Sequence, residues 1–183
     1  MIVNDKEKLI KNLWLYRSFL YRFTMFKTES KDKDVRLIVE ALNIKRRYKR
    51  IYFIIDKACD QIDEYYKGKN LCKFKNNKCI CHRKNNKDYI NGCCRKCRYQ
   101  SNKGCTTKNF ACKMFNCSYV RERYKTLTYE DLPIIKVLTP LQRLSLKSDY
   151  FASIDEVALD LCWGPLYSIY TGILKLIKLI LVK

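Results

Sequence analysis

The chain has 183 residues, with 38 Lys or Arg against 18 Asp or Glu, a formal net charge of +20. That length holds one ordinary domain, or a small core carrying a stapled insert. Three prolines and five glycines leave little room for long disordered linkers.

The opening residues have no uninterrupted apolar run and no small-residue cleavage site, so a secretory signal is not expected and a cytoplasmic location with reduced thiols is. Residues 5–27 mix charged and apolar positions. Leu9, Leu13, Tyr16, Leu20 and Phe23 recur every three or four residues, which predicts an amphipathic helix. Asp32 or Asp34 is placed to cap a second, longer helix that runs to a stop at Gly68. Its expected stripe is Ile38, Leu42, Tyr48, Tyr52, Ile55, Cys59, Ile62 and Tyr66, and the two helices would pack as an antiparallel pair, an N-terminal unit over residues 1–69.

Within that second helix, Lys45, Arg46, Arg47, Lys49 and Arg50 fill five of six consecutive positions. Such a strip can follow the phosphates of a nucleic-acid backbone. Alternatively it is an exposed helix face balanced by Asp56, Asp60 and Glu64.

Residues 70–125 form the second expected unit. They carry 15 basic and 2 acidic side chains, a net +13, against +7 for residues 1–69 and zero for residues 126–183. Nine of the eleven cysteines fall here, as Cys72, Cys79, Cys81, Cys93, Cys94, Cys97, Cys105, Cys112 and Cys117, together with the single histidine, His82. Residues 70–118 show no sustained helical or strand period, so the segment is expected to need cross-links from metal or sulfur.

Zinc takes four thiolate or imidazole ligands in a tetrahedron, and pairs a few residues apart let one turn supply two of them. Cys94 and Cys97 have that spacing; Cys79 with Cys81 and His82, and Cys112 with Cys117, approach it. One partition gives Cys72, Cys79, Cys81 and Cys93 to one ion and Cys94, Cys97, Cys112 and Cys117 to another, with Cys105 or His82 able to substitute. Other partitions fit equally. An iron–sulfur cluster would use the same thiolates, and disulfides would replace both outside the cytosol. Two all-cysteine zinc sites would lower the segment's charge from +13 to about +9, which still points to nucleic acid or an acidic protein partner. Arg95, Lys96, Arg98, Tyr99 and Lys103, with Lys108, Phe110 and Lys113, mix cations and aromatics in the manner of a platform for single-stranded bases. Tyr99 and Phe110 could instead fill a small core.

The run from Gly92 to Tyr99, then Gly104 and Cys105, then Ala111 to Cys117, resembles small uncharacterised cysteine-rich proteins of low-GC Gram-positive bacteria and their mobile elements. It is also loosely similar to the zinc- or iron-chelating family recognised by a CxxCxxCC string. The resemblance spans residues 72–117 and implies no particular reaction.

The remaining residues, 126–183, are expected to return to helix and to pack on the first unit. Thr139 before Pro140 fits an N-cap, residues 153–156 have the capping-box form, and Gly164 with Pro165 stops the helix. The closing stretch from Leu166 to Val182 is apolar but interrupted by Lys175 and Lys178. It falls short of the ~20 apolar residues needed to span a bilayer, so it reads as a core helix, an interfacial helix or a self-association surface.

Asp88 is the single acid between residues 70 and 121, and no triad or paired carboxylates stand out, so binding is expected rather than catalysis. The expected architecture is mainly α, with helical arms flanking a cysteine-rich, metal-stabilised irregular module that holds one or two zinc ions. The expected function is engagement of RNA or DNA, or of a nucleic-acid-processing complex. Alternatives are a mobile-element inhibitor that binds an acidic or guide-binding surface of a nuclease, and an iron–sulfur redox protein.

Overall fold

A computed structural model describes residues 1–76, 78–80, 99–101 and 104–164. The fold is mainly helical, and its centre is one long helix. The elements are α1 (Lys6–Lys11), α2 (Leu13–Ser18), a 3-10 turn (Leu20–Arg22), α3 (Lys33–Asn43) and α4 (Arg47–Tyr66), then a minimal hairpin of β1 (Gln100–Ser101) and β2 (Gly104–Cys105). After it come α5 (Phe110–Met114), α6 (Ser118–Arg123), 3-10 turns at Tyr129–Asp131 and Pro133–Val137, α7 (Pro140–Ser148) and α8 (Ile154–Trp163).

α4 buries Ile51, Ile54, Ile55, Ala58, Cys59 and Ile62, spaced by threes and fours along one stripe. α3, α5, α8 and the Pro133–Val137 turn all pack against it. That turn supplies an apolar plug: Leu132, Ile134, Ile135, Val137 and Leu138 are all buried. Arg17 reaches in from α2 and donates to the carbonyls of Lys136 (3.0 Å) and Leu138 (2.6 Å), tying the N-terminal arm to the plug.

The predicted first helix is broken. Asn12 ends α1, its backbone N–H and side-chain amide both donating to the Lys8 carbonyl, and Phe19 (φ −127°, ψ −60°) ends α2. Leu9 and Leu13 are buried as expected, but Phe23 is 80 % exposed.

The predicted second helix is also two, divided at Ile44, whose backbone is extended. A straight helix turns about 100° per residue, so nine residues separate Leu42 and Ile51 by about 900°, which places them on opposite faces. Only a break lets both reach one core. Asn43 fixes it: its side chain accepts from the Phe26 N–H (2.9 Å) and donates to the Phe26 carbonyl (2.8 Å). Asp32 caps α3, accepting from Asp34 and Val35. Gly68 (φ 74°) follows the end of α4 in the left-handed region that L side chains resist.

The C-terminal signals are where they were expected. Thr139 caps α7 with a reciprocal bond from Gln142, Pro140 opens the helix, and Ser153 and Glu156 form the same box at α8. Gly164 (φ 80°) closes α8. α8 packs on α4, so this segment folds back on the first, and the core is shared along the chain. The apolar stretch after Gly164 lies outside the described residues. Among the described residues no helix is long and apolar enough to cross a membrane.

Candidate functional site

A cavity of about 720 Å³ opens where the C-terminal end of α4 meets the cysteine-rich segment. Cys72, Cys79, Cys105, Cys112 and Cys117 all line it, delivered by four separate pieces of backbone.

Cys72 and Cys79 flank a knuckle. Asn70 accepts from the Phe74 N–H (2.7 Å) and donates to the Phe74 carbonyl, Lys75 and Lys78 exchange backbone bonds, and the Ile80 N–H donates to the Cys72 carbonyl (2.9 Å). Lys73 (φ 47°) and Asn76 (φ 50°) take left-handed conformations to make the tight return. Cys105 sits on β2, opposite Gln100. Cys112 lies within α5, where its Sγ accepts from the Phe151 N–H (3.4 Å). Cys117 occupies the N-cap of α6, its carbonyl accepting from Val120 and Arg121. Cys112 and Cys117 thus sit on two separate short helices, with Phe115 extended between them.

Asn109 anchors this region to the fold. It is buried and its Oδ1 accepts from the Cys112 N–H (2.8 Å), capping α5. Its Nδ2 donates to the carbonyls of Asp149 (2.7 Å) and Ala152 (2.9 Å), which join α5 to the loop between α7 and α8.

Acids of α4 supply the electrostatic anchor. Asp63 pairs with Lys113, whose side chain is only 2 % exposed and also donates to the Cys105 carbonyl (2.9 Å). Lys108 bridges Asp60 and Asp56. Burial works against the Lys108 charge, but those two carboxylates overcome it and hold its pKa above the ordinary lysine value. Phe110 is 1 % exposed and packs on Tyr129 (5.8 Å between ring centroids). Lys108, Lys113 and Phe110 thus dock the segment on the core; Phe110 and Lys113 are buried, while Lys108 and Tyr99 keep about two fifths of their surface exposed. Sequence reasoning missed this docking because it paired Asp56, Asp60 and Glu64 with the basic strip on their own helix. The only available signal was the excess of acid on the second half of α4, facing a segment of +13.

The strip itself is largely occupied. Lys45 donates to the carbonyls of Tyr21 and Thr24 (3.0 Å for the second), Arg47 reaches the Leu161 carbonyl (3.5 Å), and the Arg50 guanidinium lies 4.1 Å from the Tyr21 ring centroid. Arg46 and Lys49 are exposed, with no side-chain hydrogen bond or ion pair among the described residues. The strip is also not continuous helix, because α4 begins only at Arg47.

Cys59 is fully buried, and burial pushes its thiol up to about 12, so it behaves as a small apolar core group. Cys162 is half-buried against the same core.

Cys81, His82, Cys93, Cys94, Cys97, Arg95, Lys96, Arg98 and Lys103 lie outside the described residues. Among the described residues no three His, Cys, Asp or Glu side chains form a group that could hold a metal ion. Compared with known proteins, the chain matches no protein-family model, no curated protein and no solved structure.

Proposed function

We propose that this chain is a binding protein whose cysteine-rich segment is held by one or two zinc ions and presents a basic surface to RNA or DNA, or to a complex that processes them. The carrying observation is the convergence of Cys72, Cys79, Cys105, Cys112 and Cys117 on one cavity within the segment of highest positive charge. Separate turns that carry thiols to the wall of one cavity supply part of what a tetrahedral thiolate site requires, although no three of the described His, Cys, Asp or Glu side chains are grouped to hold an ion by themselves. Cys81, Cys93, Cys94 and Cys97, with His82 in reserve, would complete the ligand sets. An iron–sulfur cluster makes the same demand on the chain, with a different element.

Elemental analysis of protein purified without added metal tests the anchor. Bound zinc supports it, bound iron with absorbance near ~400 nm supports the redox alternative, and absence of both sinks the metal reading. Replacing Cys94 and Cys97 together by serine should release metal and loosen the segment towards proteases. Binding is tested by gel shift with naked RNA and DNA over a salt series, where a direct binder weakens linearly in log salt.

A protein partner is the second reading, and a specific observation favours it. Lys45, Arg47 and Arg50 are engaged within the fold, so α4 offers a shorter run of cations than a phosphate-tracking strip needs. An acidic protein surface, such as that of a nuclease, needs only a compact cluster. No nucleic-acid shift even at low salt would select this reading.

A further inference from the structure

The N-terminal corner carries large apolar side chains that the core does not use. In α2, Leu13 is buried, Tyr16 packs on Phe26 (5.4 Å between ring centroids), and Arg17 points at the plug carbonyls. The opposite side exposes Trp14 (68 %) and Leu15 (41 %), followed by Phe19 (63 %) and Phe23 (80 %). The last two rings lie 6.1 Å apart and project as a pair. Met25 and Ile2, each more than 60 % exposed, sit alongside, because the N-terminal ammonium donates to the Met25 carbonyl and Ile2 bridges Lys27. An apolar concentration of this kind on a charged protein marks an interaction surface.

Charge selects the occupant. From Lys8 to Thr28 there is no acidic residue, while Lys11, Arg22 and Lys27 are interspersed with the exposed apolar groups. Lys45 and Arg50 add positive charge beneath them, both contacting the Tyr21 turn. A second copy of this chain would set the same cations against one another. An anionic surface would gain from them.

The backbone is prepared for a dry environment. In the turn beneath Phe19 and Phe23, the N–H groups of Phe23 and Thr24 donate to the Leu20 carbonyl, and the Lys45 ammonium satisfies the carbonyls of Tyr21 and Thr24. Orphaned backbone groups are what hydrocarbon penalises most. Tryptophan and phenylalanine on one side, with lysine and arginine at the margin, is the composition of elements that lie in the bilayer interface.

We propose that this corner docks on an anionic lipid bilayer, with Trp14, Leu15, Phe19 and Phe23 entering the boundary between headgroups and acyl chains and Lys11, Arg22 and Lys27 at phosphate level. The surface is separate from the cysteine-lined cavity, so it stands or falls independently of the nucleic-acid reading.

The test uses the full chain with vesicles of phosphatidylcholine alone or with about 30 mol % phosphatidylserine. Trp163→Phe leaves Trp14 as the single tryptophan. The expected results are co-sedimentation with the phosphatidylserine vesicles, a blue shift of Trp14 emission and protection from aqueous quencher. The double variant Phe19→Ser with Phe23→Ser alters exposed side chains, so its circular dichroism should be unchanged while vesicle affinity falls about tenfold or more. Lys11→Gln with Arg22→Gln should weaken phosphatidylserine binding by a comparable factor and barely affect residual binding to phosphatidylcholine. Absence of vesicle binding overturns the proposal. So does binding that the phenylalanine variant leaves intact, which would mean adsorption by bulk charge. Self-association abolished by that variant, without vesicle binding, would reassign the surface to protein contact.

Discussion

Asn109 is the side chain on which the seating of α5 depends, and replacing it by alanine separates cap from clamp. The cap bond to the Cys112 N–H is worth about 1 kcal/mol at a typical helix start. The two amide bonds to the carbonyls of Asp149 and Ala152 add about 1 kcal/mol each, because both acceptors lose their donor in a part-buried setting. Asn109→Ala should therefore lose about 3 kcal/mol. With a urea m-value of roughly 2 kcal/mol/M, the midpoint falls by about 1.5 M at unchanged m. Asn109→Asp keeps the cap acceptor, removes both donors and turns a carboxylate towards two carbonyls, so it should lose about 2 kcal/mol or more despite preserving the cap. An alanine variant within about 0.3 M of the parent midpoint would refute the clamp. So would an aspartate variant that matches the parent.

Asn43→Ala removes both bonds to the Phe26 backbone and frees the junction between α3 and α4; a loss of about 2 kcal/mol in urea unfolding is expected. Lys113→Met keeps the buried stem and lets the half-exposed Asp63 return to water, at a cost of about 1 kcal/mol. Asp63→Asn leaves the buried ammonium without its counter-charge and should cost more, about 2 kcal/mol, so the order of the two midpoints is the measurement. The Cys59 pKa is raised from 9.0 to about 12, meaning the unfolded chain releases its proton first. The stability contributed by the neutral thiol is whole below pH 9 and declines as pH rises from there towards 12. The parent should therefore lose stability more steeply with pH than Cys59→Ala across the accessible part of that interval, and equal slopes would contradict the assignment.

Signals legible in the sequence were those written between near neighbours. The Thr139 cap before Pro140, the Ser153–Glu156 box and the stop at Gly164 each act within four residues, and each held. Whatever depends on distant partners did not show. The break after Asn43 requires Phe26, seventeen positions earlier, and a single stripe through Leu42 and Tyr48 concealed it. Linear charge density over-counted the strip from Lys45 to Arg50, since three of its cations hold carbonyls or an aromatic ring that tertiary folding brings near. The cysteines show both sides of this. Their spacing marked the segment, but which of them line the cavity is decided by the knuckle, the hairpin, α5 and α6 together, and no local rule couples those four.

α4 runs for 20 residues, about 30 Å at the usual rise. Its first turn, through Arg50, and Lys45 just before it brace the aromatic corner, and its last turn lines the cysteine-lined cavity. The aromatic corner and the cysteine-lined cavity therefore lie at opposite ends of one helix, about the width of a small domain apart. If the two proposed surfaces are both used, α4 alone sets the distance between what they hold, about 30 Å.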